Sequence, residues 1–493
     1  MSQVEAIVLF LLVVIGMTPM VASFVQFLFV GFHSLRNHYG SCRDYTPRVA
    51  FILPAWNEGD VIASSIDSLM SLSYPAGAWR IYVVDDASTD HTPAILRDKM
   101  QQYPGSVFHL RREVGGQGKA HTLNHGLSVV LADDWAEAVM IMDADVLFEP
   151  TTLRRMARHL ADPNVGAVTA YVKEGSYPGG LINRCVAFEY ITAQAAARRA
   201  QNVFGVLACL AGGAQLHSRA NLVAIGGAID TTTLAEDTYT TFKTQLSGRQ
   251  VVFDGNAVVW AEEPDSVAAL WKQRLRWARG NLQLTSAFRN LWFRPDIHPG
   301  LGSAAFGVLW FSIMLTPVCM IMTTMGLTGL QLLNPAWAWA CFGVVQRAGV
   351  IVFLFETLFS FLIDPATARR AWFEGFTFPG LISLAFMIVF FVPRHVFPFL
   401  DAFMAVDPHG WTSFDVLRQC MYAWITLCML AAWGVCRLEK AGVHPWLRNI
   451  LMVCVGYGPL MCAISFSALA THWRKTELQW DKTVKTGKAR MLT

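Results

Sequence analysis

Residues 6–32 contain no charged side chain and are almost entirely apolar. A run of that length is enough for a helix to cross a bilayer. Apolar stretches return after residue 300, at 302–330, 336–363, 379–399, 413–436 and 446–470. The chain between them is charged and differently patterned, so a polar insert is bracketed by membrane-type segments. Composition agrees: 15% of the residues are charged, against roughly one quarter in soluble domains. The first run is too long for the apolar part of a signal peptide and no basic region precedes it, which predicts a retained anchor. Arg36, Arg43 and Arg48 follow it and predict a cytoplasmic insert by the positive-inside rule.

The tail carries Arg474, Lys475, Lys482, Lys485, Lys488 and Arg490 and is expected to remain cytoplasmic, partly flexible. One span before the insert then requires an even number after it. Of the five later candidates, 379–399 is bracketed by Pro379 and Pro393 and is expected not to cross fully. The expected layout is an anchor at 1–45, a cytoplasmic domain at 46–295, interfacial and transmembrane helices at 296–471, and a basic tail at 472–493. A net charge of +3, with no basic run interleaved with aromatics, argues against nucleic acid as a partner. Only Cys42, Cys185 and Cys209 of the ten cysteines lie in the insert, and no Cys-x-x-Cys pair occurs. That usage fits a reducing compartment and excludes a zinc ribbon.

Within the insert, short apolar runs alternate with amphipathic stretches. Val49–Leu53, Ile81–Val84, Val107–Leu110, Ala138–Met142 and Ala167–Val172 read as strands, the first ending at Pro54. Helical stretches between most of them make βαβ units and a mostly parallel sheet, an α/β fold combined with an α-helical transmembrane region. Ligands of such sheets sit at the carboxyl ends of the strands. Acidic pairs follow two of these ends directly: Asp85-Asp86 after Val84, and Asp143-Ala144-Asp145 after Met142. Asn57-Glu58 follows the first strand on the same rim.

Two carboxylates at i and i+2 leaving a buried strand offer hard oxygen ligands for Mg2+ or Mn2+ bridging a diphosphate. They equally suit a loop capping the helix that begins near Pro150. Ala235-Glu236-Asp237 opens a helix, where the dipole favours carboxylates; Asp237 also suits a general base. Gln273-Arg274-Leu275-Arg276-Trp277 lies on a later helix beginning near Ser266. Arg276 suits a phosphate and Trp277 a sugar face, while Arg and Trp also enrich at membrane surfaces. Arg274 and Arg279 are expected on the interface or a solvated face. Gly115-Gly116-Gln117-Gly118-Lys119 is not a P-loop, because Glu113 stands where Gly is needed and Ala120 where Ser or Thr is. His121 and His125 have metal-ligand spacing, but no Glu follows His121, and they read as ordinary helix residues. The small-residue loop Leu210–Gln215 suits a tight turn or close approach to a ligand.

In this order, the motifs Val83–Asp86, Asp143–Asp145, Ala235–Asp237 and Gln273–Trp277 resemble the signature of the processive family-2 membrane glycosyltransferases. That group includes cellulose, chitin, hyaluronan and poly-N-acetylglucosamine synthases. The resemblance covers residues 46 to 290, and the membrane part only in layout. It departs at Ala87, where Gly is common, and at Ala235, where Thr is common. It implies a GT-A domain that extends a β-linked polysaccharide from UDP-glucose or UDP-N-acetylglucosamine, with inversion and export across a cell (inner) membrane. By the same resemblance, Asp86 contacts the nucleoside and Glu58 and Lys119 the donor. Asp143 and Asp145 hold the diphosphate and the metal, and Asp237 is the base. Gln273, Arg276 and Trp277 bind the diphosphate and the acceptor. The implied partners are a UDP-sugar, the growing polysaccharide, the bilayer and accessory export subunits. A transferase glycosylating a lipid carrier shares the donor site. A nucleotide-sensing transporter is disfavoured, because no repeated halves are visible and Arg347 and Glu356 are the clearest internal charges.

Overall fold

The computed structural model describes residues 3–40, 42–391, 413–474 and 485–492. They form two compact units. One comprises Gln26–Asp265, Arg279–Gly307 and Glu477–Thr493, and the other Met1–Val25, Ser266–Ala278 and Val308–Thr476.

The first unit is built on an eight-stranded sheet: β1 (Val49–Ala55), β2 (Trp79–Asp85), β3 (Val107–Arg111), β4 (Ala138–Ile141), β5 (Leu147–Phe148), β6 (Val165–Glu174), β7 (Gln215–Ser218) and β8 (Gln250–Ala261). The spatial order is β3-β2-β1-β4-β7-β6-β8-β5. The β3-β2-β1-β4 half is parallel throughout, as βαβ crossovers require. Antiparallel β7 then joins β4 to β6, β6 and β8 are parallel, and β5 is antiparallel on β8. The sheet is therefore mixed, of the GT-A type, with helices on its flanks.

Alternation along the strands makes one core. Ala50 and Ile52 of β1, Tyr82 and Val84 of β2, and Val139 and Ile141 of β4 point to one face, where Leu123, Leu127 and Val130 of the helix Lys119–Ala132 cover them. Each such fully buried aliphatic side chain contributes about 2 kcal/mol. Gly126 lets this helix approach, since a Cβ there would lie 2.7 Å from Ile52 Cγ2.

β1 runs through the expected stop at Pro54 to Ala55, two residues beyond Leu53. Its pairing with β4 ends at Ile52, so beyond that residue only β2 flanks it. Pro is tolerated where one side of a strand is unpaired.

The second unit is helical. Among the described residues, four helices are long and apolar enough to cross a membrane: Gln3–Leu35, Ala304–Leu333, Pro335–Ile363 and Phe414–Lys440. Together they make this a multi-pass membrane protein. Val13, Leu327, Leu330, Ala338, Phe342, Met421 and Tyr422 form their core. Gly326 permits a close crossing, because a Cβ there would lie 2.6 Å from the Leu9 carbonyl oxygen. The stretch read as a single span at 446–470 is instead two helices, Pro445–Val455 and Tyr457–Trp473, bent by 89°. The break falls at Gly456, whose φ is +101° and whose Cβ position is only 2.4 Å from the Gly380 nitrogen. A continuous helix cannot carry that dihedral. Of the segment 379–399, Pro379, Gly380 and a short helix Leu381–Phe391 are described, and residues 392–399 lie outside the described residues.

Candidate functional site

The parallel half of the sheet delivers its carboxyl ends to one rim. The Asp86 N–H donates to the Ala55 carbonyl at 2.8 Å, so the ends of β1 and β2 are fastened side by side. The two aspartates after Val84 have different surroundings. Asp85 is fully buried and accepts from Arg111 at 2.6 Å, His109 at 3.2 Å and the Ser88 N–H at 2.7 Å. Burial opposes its charge, but these donors outweigh it and hold the carboxyl below the ordinary aspartate range. Asp85 therefore anchors the loop. Asp86 accepts from the Gly116 N–H at 2.9 Å and pairs with Arg112, so it ties the glycine loop to the rim. Gly115 must be glycine for this, since a Cβ would lie 2.2 Å from the Asp86 carbonyl oxygen. Glu58 is half-buried, and its N–H donates to Thr92 Oγ1 at 2.9 Å.

Asp143 and Asp145 leave β4 one residue apart, as the sequence pattern requires. Ser65 braces the turn by donating to the Ala144 carbonyl at 2.7 Å. Each carboxylate faces a lysine: Asp143 meets Lys119 at 2.5 Å, and Asp145 meets Lys485 at 2.7 Å. Lys119 also lies 3.5 Å from Glu236. Burial works against both ammonium groups, yet the carboxylates prevail and raise both above the ordinary lysine range. Asp143 and Glu236 do this for Lys119, and Asp145 and Glu263 for Lys485.

Gly212 marks where these groups converge. A Cβ built on it would lie 3.2 Å from Lys119 Nζ, 3.4 Å from Asp237 Oδ2 and 3.9 Å from Asp143 Oδ2. Asp237 sits in the first turn of the helix Glu236–Leu246. Its Oδ1 accepts from the Thr238 N–H at 2.7 Å and from the Thr238 hydroxyl, leaving Oδ2 toward the Gly212 side. Cys209 lies beside Asp237 and Thr238; burial, then Asp237, push its thiol upward, so it stays protonated. Arg198 approaches both groups from a helix that follows a π-helical stretch, Tyr190–Ala196. Such stretches shift the facing of the residues after them and recur at functional sites.

The motif Gln273–Trp277 lies on the helix Val267–Ala287, within the part grouped with the apolar unit. Gln273 is buried, and Arg276 and Trp277 are half-buried. Of the two places expected for Arg274, the interface or a solvated face, the second does not hold: it is 6% exposed, and its guanidinium lies 4.0 Å from the Trp277 ring centroid, one helical turn away. The sequence reading gave no site role to Arg112, Arg198, Cys209, Glu236 or Lys485. Glu236 adjoins a residue that was noticed; the others carry no local signal.

Among the described residues, no three Asp, Glu, His or Cys side chains gather to hold a metal ion by themselves. The donor set still fits a hard divalent cation of the kind that takes one or two carboxylates and completes its shell with phosphate and water. Asp143 and Asp145 are the carboxylates of this rim that could supply such ligands.

The mixed sheet with an acidic rim at its parallel carboxyl ends defines the GT-A class of folds. Residues 47–280 match the family described as "Glycosyltransferase like family 2", and this segment is a family-2 glycosyltransferase domain. The chain is 27% identical to a poly-beta-1,6-N-acetyl-D-glucosamine synthase of Staphylococcus epidermidis over 50% of its own length and 56% of that protein. It is 33% identical to a beta-monoglucosyldiacylglycerol synthase of a Synechocystis strain over 48% of each. The chain thus spans about half the length of the curated relatives it matches. Among solved structures, a mannosyltransferase from Pyrobaculum calidifontis in complex with GDP-Man and Mn2+ shares the fold. Its TM-score is 0.55 at 22% identity, covering 75% of this chain and 99% of that one.

Proposed function

We propose that this chain is an inverting hexosyltransferase. It takes a UDP-sugar, UDP-glucose or UDP-N-acetylglucosamine, extends a β-linked polysaccharide and passes the product across the membrane. The observation that carries this reading is the convergence of Asp143, Lys119 and Asp237 on Gly212, at the end of the sheet where GT-A donors bind. Asp86 takes the nucleoside, with Glu58 on the same rim. Asp143 and Asp145 would hold Mg2+ or Mn2+, which when bound supplies positive charge to the departing diphosphate. Lys119 adds a fixed ammonium there. Asp237 accepts the proton of the acceptor hydroxyl through Oδ2 as that oxygen bonds to the anomeric carbon. The bond from that carbon to the diphosphate oxygen breaks on the opposite side, so the configuration inverts and UDP leaves. By the resemblance of sequence, Gln273, Arg276 and Trp277 serve the diphosphate and the acceptor.

The layout follows the same proposal: an anchor at 1–45, a cytoplasmic catalytic domain at 46–295, membrane helices at 296–471 and a cytoplasmic tail at 472–493. Among the described residues, counting the bent pair as one span gives four spans after the catalytic domain, which supports the even number this layout needs.

Asp237→Asn tests the assignment by keeping size and removing the base. The variant is expected to lose transfer of labelled sugar while still binding the donor; a normal product yield overturns it. The likeness to a glucosyldiacylglycerol synthase favours a second reading, transfer to a lipid. Membranes fed labelled UDP-sugars distinguish the two by the length of the product.

A further inference from the structure

We propose that Lys485 occupies the place of a divalent cation at Asp145, so that metal and the segment Lys485–Arg490 bind this carboxylate in competition. The inference rests on the metal role given above to Asp143 and Asp145, and it adds a residue to that site from far along the chain.

The segment is built onto the catalytic unit. The Arg490 N–H donates to the Gly175 carbonyl at 2.8 Å, and the Tyr177 N–H donates to the Lys488 carbonyl at 2.9 Å, with a bridge between Ser176 and Ala489. Glu262, 6% exposed, accepts from the Thr486 N–H and hydroxyl at 2.9 Å each and from the Lys488 N–H at 3.0 Å. Gly487 has φ +71° and comes so close to the loop after β1 that a Cβ would lie 2.7 Å from the Asp60 carbonyl oxygen. These contacts aim Lys485 at the rim, where its ammonium meets Asp145 Oδ2 at 2.7 Å and also donates to the Glu262 carbonyl.

Charge and space give the consequence. Lys119 already balances Asp143, and Lys485 balances Asp145. A cation bound to Asp145 would sit about 2.1 Å from a carboxylate oxygen. An ammonium 2.7 Å from that oxygen overlaps the position and repels the ion. The two lysines are not equivalent: Lys119 opens a 14-residue helix, while Lys485 rides on a segment held by a handful of hydrogen bonds. Metal entry therefore displaces Lys485 and loosens the segment behind it, and the segment in turn weakens metal binding by the same factor.

The test uses the purified full chain in detergent with UDP and Mn2+, reading free Mn2+ by electron paramagnetic resonance. Lys485→Gln is expected to bind Mn2+ roughly fivefold or more tightly than the wild type. Lys485→Arg, which keeps the charge, should stay near the wild type, and Asp145→Asn should bind far more weakly. Hydrogen exchange of the amides at 486–490 is expected to quicken on Mn2+ saturation of the wild type. Equal affinity of the wild type and Lys485→Gln, with Asp145→Asn still weak, overturns the competition and leaves the metal role standing. Unchanged exchange at metal saturation overturns the displacement. Equal affinity of Asp145→Asn and the wild type overturns both the metal role and the competition built on it.

Discussion

Asp145 and Asp254 are both buried carboxylates of the same unit, 9% and 1% exposed, and they are held in opposite ways. Asp254 accepts from Tyr39 at 3.0 Å, His159 at 3.0 Å and the Asn256 N–H at 2.9 Å, and Arg158 pairs with it at 3.3 Å. Cys42 lies 3.3 Å from His159 Nδ1; burial keeps its thiol protonated, so it donates there and leaves His159 Nε2–H for Asp254. Burial opposes the Asp254 charge, but His159 and the other donors prevail and hold it below the ordinary range. This cluster fastens the stretch after the first membrane helix to β8. Asp145 is instead faced by a lysine on a separate segment. A carboxylate saturated by fixed donors is an anchor, whereas one faced by a single lysine on a separate segment suits the metal role proposed for Asp145. Sequence alone made Asp145 conspicuous and left Asp254 unnoticed.

Substitution at the two positions should separate chemistry from stability. Asp145→Asn is expected to cut sugar transfer by roughly a thousandfold, the scale of losing a group that stabilises developing charge, with little change in melting temperature. Near-normal transfer in membranes carrying this variant would break the contrast. Asp254→Ala should do the reverse. It leaves Arg158 facing an uncompensated site and costs about 3–5 kcal/mol, a fall in melting temperature on the order of 10 °C. Unchanged thermal stability would show that the cluster is not an anchor.

How much of this was readable in advance depends on locality. The rim motifs were legible because each carboxylate directly follows its own strand in sequence. β8 was not, because Asp254-Gly255-Asn256 interrupts its apolar run with turn-forming residues. The strand absorbs them in an irregularity, its pairing to β6 jumping from Asp254 to Val258 between Ala170 and Tyr171. The antiparallel joins of β7 to β4 and β6 leave no trace in an alternation pattern, which is the same for either direction. The break at Gly456 lay within an unbroken apolar stretch, where hydropathy cannot report a positive φ. Lys485 was read as one more charge of a basic tail, because nothing local ties it to Asp145.

Acid should weaken the scaffold through a third buried group, which sharpens the same contrast. His217 on β7 is fully buried, and burial pushes it down to about 4. In the unfolded chain a histidine takes a proton below about 6.5, and the fold refuses that proton until about 4. The stability contribution is thus present above pH 6.5 and lost as pH falls from there toward 4, by at most about 3 kcal/mol. Melting temperature followed over that range should fall, and the slope should flatten in His217→Gln. A flat profile in the wild type would show that His217 is protonated within the fold.

The smallest effect is also the most discriminating. Tyr39→Phe removes one hydroxyl donor from Asp254 and keeps the ring beneath Arg158, whose guanidinium carbon lies 3.8 Å from the centroid. If Asp254 is saturated, the remaining donors keep its charge compensated, and the loss is that of the two hydrogen bonds of the hydroxyl, donated to Asp254 and accepted from the Asn256 side chain, about 2 kcal/mol. The melting temperature should then drop by roughly 4–8 °C, with sugar transfer and Mn2+ affinity unchanged. A drop as large as that of Asp254→Ala would mean that the hydroxyl alone keeps the carboxylate compensated. A change in Mn2+ affinity would mean that the two carboxylate clusters are coupled, and the division between anchor and chemistry would not hold.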